Sequence, residues 1–165
     1  MTDFIPSDPN FEARLRDNFT RQAIMASLGG AMGLVRPGEV HIHAPFDARF
    51  TQQDGFLHAG TVATLMDSAC GYAAFSLMPA DARVLSVEFK VNLLAPARGP
   101  RFRAEGRVVK PGRTITVCEG KLFSIHEEEE TLCALMQATM ICIRDKTPDS
   151  DDSGRRRSLE TSDSA

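Results

Sequence analysis

The clearest pattern along the chain is an alternation of apolar and polar residues between positions 84 and 94 (VLSVEFKVNLL). Apolar side chains occupy every second position, and Ser86, Glu88, Lys90 and Asn92 lie between them. A period of two residues is typical of a β-strand with one buried face. We therefore predict a strand here, with all of its apolar residues on one face and its polar residues on the other.

Four other segments have the composition or alternation of strands. They cover residues 39–50, with an interruption at Pro45, and residues 101–108, 114–125 and 132–143. Short turns rich in proline, glycine and charged residues separate the later segments. Strands that tight turns join pair antiparallel, so we predict an antiparallel sheet.

Two segments have helical spacing instead. In the first, Phe11, Leu15, Phe19 and Ala23 recur at four-residue steps, which predicts an amphipathic helix that ends near Gly29 and covers one side of the sheet. We assign residues 1–36 to this leading helical segment. The second helix begins at a His-Ala-Gly turn, at positions 58–60, and runs to the residues before Pro79. It is apolar on most sides, so we expect the curve of the sheet to bury it.

One charged residue, Asp67, lies in the middle of this second helix. An ionised carboxylate among apolar neighbours is costly unless it has partners or a task. Together with Thr64, Ser68 and Gly71 it forms a narrow stripe of small and polar residues. The two interpretations of Asp67 are a catalytic group and a hydrogen-bonded carboxylate that pins the helix to the sheet.

The start of the same helix offers a second kind of chemistry. Backbone N–H groups near Ala59 have no partner inside the helix and lie at the positive end of its dipole. Such donors stabilise a developing oxyanion, and a carboxylate can orient or deprotonate water, so the two together suit hydrolysis of an acyl bond. Because about 10 Å separates Asp67 from the donors, one chain cannot apply both to one carbonyl. Two antiparallel copies could, which predicts a homodimer with shared sites.

Composition narrows the class of protein. A length of 165 residues predicts one main domain. The net charge of −3 gives no reason to expect a nucleic-acid partner. No apolar run is long enough to span a membrane, and the first residues lack the apolar core of a secretory signal. The four cysteines are far apart in apolar segments, so we predict reduced core thiols in a cytoplasmic protein. From position 145 onward serine, aspartate and arginine dominate, which predicts a flexible polar tail over residues 145–165.

The residues around the second helix resemble a known family. The order of Gln52, Gly55, the His-Ala-Gly turn, Asp67 and Ser86 is similar to that of the hotdog-fold acyl-CoA thioesterases of the phenylacetate-pathway (PaaI-like) type. The resemblance covers residues 46–144. Gln52 stands where many relatives have asparagine, and Ala59 where the first glycine of the motif is usual. Alanine keeps the backbone N–H, and glutamine keeps the amide donor on a longer side chain.

This resemblance implies a fold and a reaction. The fold would be the α+β hotdog fold, in which an antiparallel sheet wraps around one long central helix, with an extra N-terminal helix, over residues 1–144. Subunits would pair edge to edge as a homodimer, and two dimers would form a homotetramer. The reaction would be hydrolysis of acyl-CoA to the free acid and CoA, with no cofactor, no metal, and no membrane or nucleic-acid partner.

The resemblance also implies roles for individual residues. Asp67 would be the general base or the direct nucleophile, and the N–H groups of Ala59 and Gly60 would be the oxyanion donors. Gln52 would orient the carbonyl or the attacking water. The whole catalytic group is Asp67, Gln52, His58, Ala59, Gly60 and Ser86, and CoA would contact Asn92, Gly112, Arg113 and Thr114.

Other interpretations stay open at this stage. His58 can shape the oxyanion turn or simply cap the helix. Ser86 can bind the attacking water or Asp67, or it can be an ordinary strand residue. Cys70, on the same helix, is an alternative nucleophile without an identifiable base beside it. His41 and His43 share a strand face, which suits a solvated surface better than a metal pair, since no third ligand has clear spacing. The alternative functions are an acyl-CoA-binding module without turnover and a hotdog hydratase or dehydratase.

Overall fold

The structure, a computed structural model, describes residues 4–144. The predicted tail, residues 145–165, lies outside the described residues, so its flexibility stays a prediction. The elements in chain order are α1 (Phe11–Thr20), α2 (Ala23–Ser27), β1 (Ala31–Arg36), β2 (Glu39–Pro45), a 3-10 turn (Ala48–Phe50), α3 (Ala59–Phe75), β3 (Ala82–Leu93), β4 (Arg101–Lys110), β5 (Ile115–His126) and β6 (Glu129–Arg144).

The six strands form one antiparallel sheet in the order β1-β2-β4-β5-β6-β3. One face of the sheet packs on α3, and the alternate residues of β4 and β5 that face it are buried. Phe102, Ala104, Leu122 and Met140 are fully buried in this layer. The structure therefore confirms the predicted antiparallel sheet around one long apolar helix.

A glycine on β4 lets the sheet approach the helix closely. A Cβ atom at Gly106 would lie 2.2 Å from the carbonyl carbon and oxygen of Ala69 in α3, which no side chain can occupy. Gly120 on β5 is similarly close to Cys70, whose Sγ would lie 3.0 Å from an added Cβ. The backbone of α3 thus rests directly on the middle of the sheet.

The N-terminal prediction was wrong in part. The leading segment is two short helices rather than one, and residues Ala31–Arg36 form an edge strand, β1. Gly29, at φ +63°, reverses the chain where the helical segment ends, as the glycine signal predicted. The strand escaped prediction because it lies at the edge of the described sheet, beside β2, and its residues are at most partly buried, so they carry no clean alternation.

Two boundaries also differ from the prediction. The strand predicted to reach residue 50 ends at Pro45, and a 3-10 turn follows at Ala48–Phe50. A proline lacks the N–H that would continue the ladder. The last strand, predicted over residues 132–143, already begins at Glu129.

The most consequential difference lies in β3. Ser86 pairs with Met140, whereas Glu88 pairs with Thr139, so Val87 is an extra residue at a β-bulge. The bulge reverses the alternation, which is why both Val84 and Val91 pack against the core. The predicted apolar face is therefore wrong: Ser86 shares the helix-side face with Phe89, Val91 and Leu93, while Leu85 faces the other way.

β3 is an edge strand, and β6 is its single partner within residues 4–144. Leu85, Val87, Phe89 and Leu93 on it are 45–57% exposed. An unpaired edge that carries exposed apolar side chains is suited to pairing with another strand. None of the helices within residues 4–144 is long and apolar enough to cross a membrane.

Candidate active site

His58 caps the N-terminus of α3. The Nδ1 atom of its ring accepts a hydrogen bond from the backbone N–H of Gly60 at 2.9 Å, and the backbone N–H of His58 donates to the carbonyl of Phe50 at 2.9 Å. An imidazole that accepts at Nδ1 carries its proton on Nε2. This geometry suits the capping interpretation of His58. It also means that the N–H of Gly60 already has an acceptor in the single chain.

The backbone N–H of Ala59 remains open at the helix start. Ala59 is the first residue of α3, and its N–H has no acceptor among residues 4–144. It borders a cleft of about 370 Å³ that Gln52 also lines. The side-chain oxygen of Gln52 accepts from the N–H of Asp54, so its NH₂ group is the part left to donate. The structure thus brings two of the predicted carbonyl-binding groups together.

The walls of this cleft are apolar. They come from the segment that follows the 3-10 turn, from α3, from the end of β3 with its following loop and from β6, namely Phe56, Leu57, Val62, Leu93, Leu94, Ala95, Pro96, Ala97 and Cys133. The guanidinium of Arg98 lies 5.0 Å from the centre of the Phe56 ring. The loop after β3 was predicted to be a simple turn, so its part in this wall was missed. The short apolar run LLAPA just before Arg98 was the available signal.

Asp67 lies on the open side of α3, beside β3. The hydroxyl of Ser86 donates to Asp67 Oδ1 at 2.6 Å, and Asp67 is only partly buried. A hydroxyl that donates to a carboxylate forms a strong, charge-assisted hydrogen bond, which fixes the position of the acceptor oxygen. The predicted contact between Ser86 and Asp67 is present because the bulge at Val87 turns the polar residue before it toward the helix.

The polar stripe of α3 is narrower than predicted. Thr64, Asp67 and Gly71 are partly exposed, whereas Ser68 is buried and its Oγ accepts from Gln22 Nε2 at 3.3 Å. An added Cβ at Gly71 would meet no atom within 4 Å. The open side is therefore centred on Asp67, and Ser68 belongs to the contact with the N-terminal helices.

Within one chain these groups form two separate half-sites. Ala59 and Asp67 lie on the same helix, about 12 Å apart along its axis. The cleft that contains Gln52 and Ala59 does not include Asp67. In a single chain Gln52 and Ala59 therefore line one cleft, and Asp67 and Ser86 form a separate hydrogen-bonded pair away from it.

The residues expected to contact CoA are also divided. Gly112, Arg113 and Thr114 lie in the turn between β4 and β5, at the end of the sheet where Ser86 lies. Asn92 lies toward the other end of β3, about 20 Å away along the strands. It pairs with Leu135 on the outer face of the sheet and does not line the cleft at Ala59. Asn92 lies on the outer face because the bulge at Val87 exchanges the two faces of β3.

The geometry does not favour the alternative chemistries, a nucleophilic Cys70 or a metal pair at His41 and His43. Cys70 is fully buried, and burial raises the pKa of its thiol well above the ordinary value, which disfavours a nucleophilic thiolate. His41 Nε2 lies 3.0 Å from Glu39 Oε1 on the outer face of the sheet. Residues 4–144 contain no group of three side chains placed to hold a metal ion.

Comparisons with known proteins agree with this architecture. Residues 54–131 match the model of the thioesterase superfamily. A thioesterase family protein from Silicibacter pomeroyi is 50% identical, with a TM-score of 0.80 over 81% of this chain and 98% of that one. A relative from Halobacterium salinarum that carries an esterase name is 31% identical over 72% of this chain and 80% of its own length.

The chain therefore belongs to the thioesterase superfamily and is a hotdog-fold protein of the PaaI-like type. The PaaI protein of E. coli, from its phenylacetic acid degradation operon, shares the fold, with a TM-score of 0.73 at 16% identity over 81% of this chain and 94% of that one. The predicted family and the predicted hotdog fold are confirmed.

Proposed function

We propose that the protein hydrolyses acyl-CoA thioesters at sites shared between two subunits. Family membership supports a hydrolase of the thioesterase class, and the acyl-CoA substrate and the shared site are the further steps. The observation that carries the proposal is Asp67, a partly exposed carboxylate on the open side of α3 that Ser86 holds at 2.6 Å.

The exposed edge of β3 supports the shared site. Two copies of β3 that pair antiparallel about a two-fold axis place the Ser86 end of one strand beside the Leu93 end of the other. Leu93 lines the cleft that contains Gln52 and Ala59. The pairing would therefore carry Asp67 of one subunit to the open N–H of Ala59 and the amide of Gln52 in the other, and would bury the exposed apolar residues of both edges.

The reaction follows from these groups. The thioester carbonyl oxygen accepts hydrogen bonds from the N–H of Ala59 and the amide of Gln52, which stabilise the negative charge of the tetrahedral intermediate. Asp67 of the neighbouring subunit takes a proton from water as its oxygen bonds to the carbonyl carbon. The carbon–oxygen double bond then re-forms as the carbon–sulfur bond breaks, and the proton held by Asp67 passes to the CoA sulfur. A direct attack by Asp67, through an anhydride that water cleaves, uses the same geometry.

The hydrogen bonds around Asp67 and His58 define supporting roles. Ser86 positions the carboxylate and can hold the attacking water on its second lone pair. His58 holds the turn in which the N–H of Ala59 points outward. In the assembled dimer, Gly112, Arg113 and Thr114 lie at the Ser86 end of β3 and would approach the CoA phosphates, for which Arg113 supplies positive charge. Asn92 would reach CoA only along the outer edge of the sheet.

One observation favours a second function, an acyl-CoA-binding module without turnover. The N–H of Gly60 is already bonded to His58, so the oxyanion site has one backbone donor instead of two. Removal of one oxyanion donor from an enzyme costs about a hundredfold or more in turnover. Binding of acyl-CoA without release of thiol would support this function.

Release of free CoA, detected with a thiol reagent across a panel of acyl-CoA substrates, tests the proposal. We expect turnover by the wild type, and a fall in kcat of about 10²- to 10⁴-fold for Asp67→Asn, because the amide cannot accept the proton from water. Sedimentation must show that the variant keeps the oligomeric state of the wild type. Full turnover by a correctly assembled Asp67→Asn variant would contradict the proposal.

A further inference from the structure

The sheet has two edge strands, and they differ in what surrounds them. β3 carries exposed apolar side chains, and it is the edge at which the proposed function pairs two subunits. β1 lies at the opposite edge of the sheet, beside β2. Two subunits paired through β3 would therefore have a β1 strand at each end of their joined sheet.

An open β1 edge would let such dimers associate further. The unpaired N–H and C=O groups along an edge strand are a template for pairing with another chain. Since each dimer would have two β1 edges, pairing of β1 with β1 would join one dimer after another, end to end. The state of the β1 edge therefore decides whether assembly through the sheet stops at the dimer.

Arg16 of α1 occupies backbone acceptors in the middle of β1. Its Nη1 donates to the carbonyl of Met32, and its Nη2 donates to the carbonyl of Gly33, both at 3.3 Å. A guanidinium presents its donors in a fixed planar fork, so one side chain can fill two acceptors. Glu12, one turn earlier on α1, accepts from Arg16 Nε at 3.0 Å and from its Nη2 at 2.9 Å, which holds the guanidinium in this direction.

The register of β1 explains how one side chain reaches both carbonyls. The pairs Met32–Ile42 and Val35–Val40 enclose two residues on β1 but one residue on β2, so β1 contains an extra residue here. In a regular antiparallel strand, the backbone groups of successive residues face alternately toward and away from one neighbouring strand. The extra residue breaks this alternation, which lets both carbonyls face α1. It also interrupts the even ladder that another strand would extend.

We propose that Arg16 closes the β1 edge, so that subunits of this protein pair through β3 and not through β1. The partner that Arg16 excludes is β1 of a second copy of this chain. The inference rests on the β3 pairing of the proposed function and adds a residue that limits assembly. The side chain of Arg16 is 45% exposed, so its replacement removes the contact without leaving a core cavity.

Arg16→Ala tests this proposal in the full chain, by sedimentation velocity over a wide range of concentration. We expect the mass of the wild type to stay constant. The variant should form larger species as concentration rises, with a weight-average mass at least about twice that of the wild type, because the first step joins two dimers.

Arg21→Ala is the matched control. Arg21 pairs with Asp17 at 3.2 Å, four positions earlier, just as Arg16 pairs with Glu12, but in the described part of the chain it makes no hydrogen bond to β1. This variant should keep the wild-type mass. Equal growth in both variants would overturn the proposal, because loss of any such ion pair would then cause association.

Hydrogen exchange shows where the larger species join. Peptides that cover residues 31–36 should exchange more slowly in concentrated than in dilute Arg16→Ala, because new bonds between strands protect their amides. An unchanged mass, or growth without this protection, overturns the proposal. These readouts need no turnover, so they are separate from the proposed function. A monomeric wild type would contradict the shared site, whereas pairing of Arg16→Ala through β1 would still support the role of Arg16.

Discussion

The two sides of helix α3 differ sharply in how closely they are packed. On the sheet side, a methyl group at Gly106 would overlap the backbone of Ala69 at 2.2 Å. On the open side, a methyl group at Gly71 would meet nothing within 4 Å. The helix is thus tightly packed against the sheet on one side, and Asp67 lies partly exposed on the other. A carboxylate on a rigidly seated helix keeps its direction, which is what a shared catalytic site requires.

Among substitutions that alter the packing on one side of α3, we expect the largest loss of stability at Gly106, on the sheet side. Gly106→Ala forces α3 away from β4, and overpacking of this kind costs about 1–3 kcal/mol or more in the free energy of unfolding. Urea denaturation measures the loss. Unaltered stability would mean that the backbone of α3 at Ala69 does not lie as close to Gly106 as the 2.2 Å overlap implies.

A smaller effect, on turnover, is expected at Ser86. Ser86→Ala removes the hydroxyl that donates to Asp67, and such bonds to charged groups contribute about 1.5–3 kcal/mol, so kcat should fall about 10- to 100-fold while KM changes little. Thr139→Val is the matched control, because it removes a hydroxyl–carboxylate bond, to Glu88, from the outer face of the same strand pair. Equal losses in both variants would contradict a specific role for Ser86.

The smallest effect is expected at Gly71. Gly71→Ala replaces a helix-interior glycine that has open space beside it, so the single chain should gain about 0.5–1 kcal/mol of stability from helix propensity. Thermal unfolding measures this gain. A loss of stability would show that the open side of α3 is packed against another surface more tightly than the single chain indicates.

The sequence was sufficient to predict this open side of α3, because its signals are local. Helical spacing, the charge at Asp67 and the turn at His58 are all visible within about twenty residues. The antiparallel sheet around this helix was also predicted, from the alternation and the family resemblance, but the order of its strands was not. The contact between Ser86 and Asp67 was one of the alternatives for Ser86, and the structure contains it.

The errors lie where structure depends on an inserted residue or on a distant partner. The apolar–polar alternation of the sequence continues through the bulge at Val87, but the bulge exchanges the two faces of β3 from that point on. The side of the sheet on which Asn92 lies could therefore not be derived from periodicity. β1 is held by its pairing with β2 and carries little pattern of its own. The hydrogen bond from Gly60 to His58 depends on the rotamer of one imidazole, which no spacing in the sequence determines.

Mixing two inactive variants tests the shared site most directly. Asp67→Asn lacks the base, and Gln52→Ala lacks a carbonyl donor at the other half-site. If the two half-sites come from different subunits, a mixed dimer contains one intact site and one doubly damaged site. Unfolding and refolding the two variants together should then restore about a quarter of wild-type turnover, since about half of the dimers are mixed. A mixture no more active than the sum of its separate components would contradict a site shared between subunits.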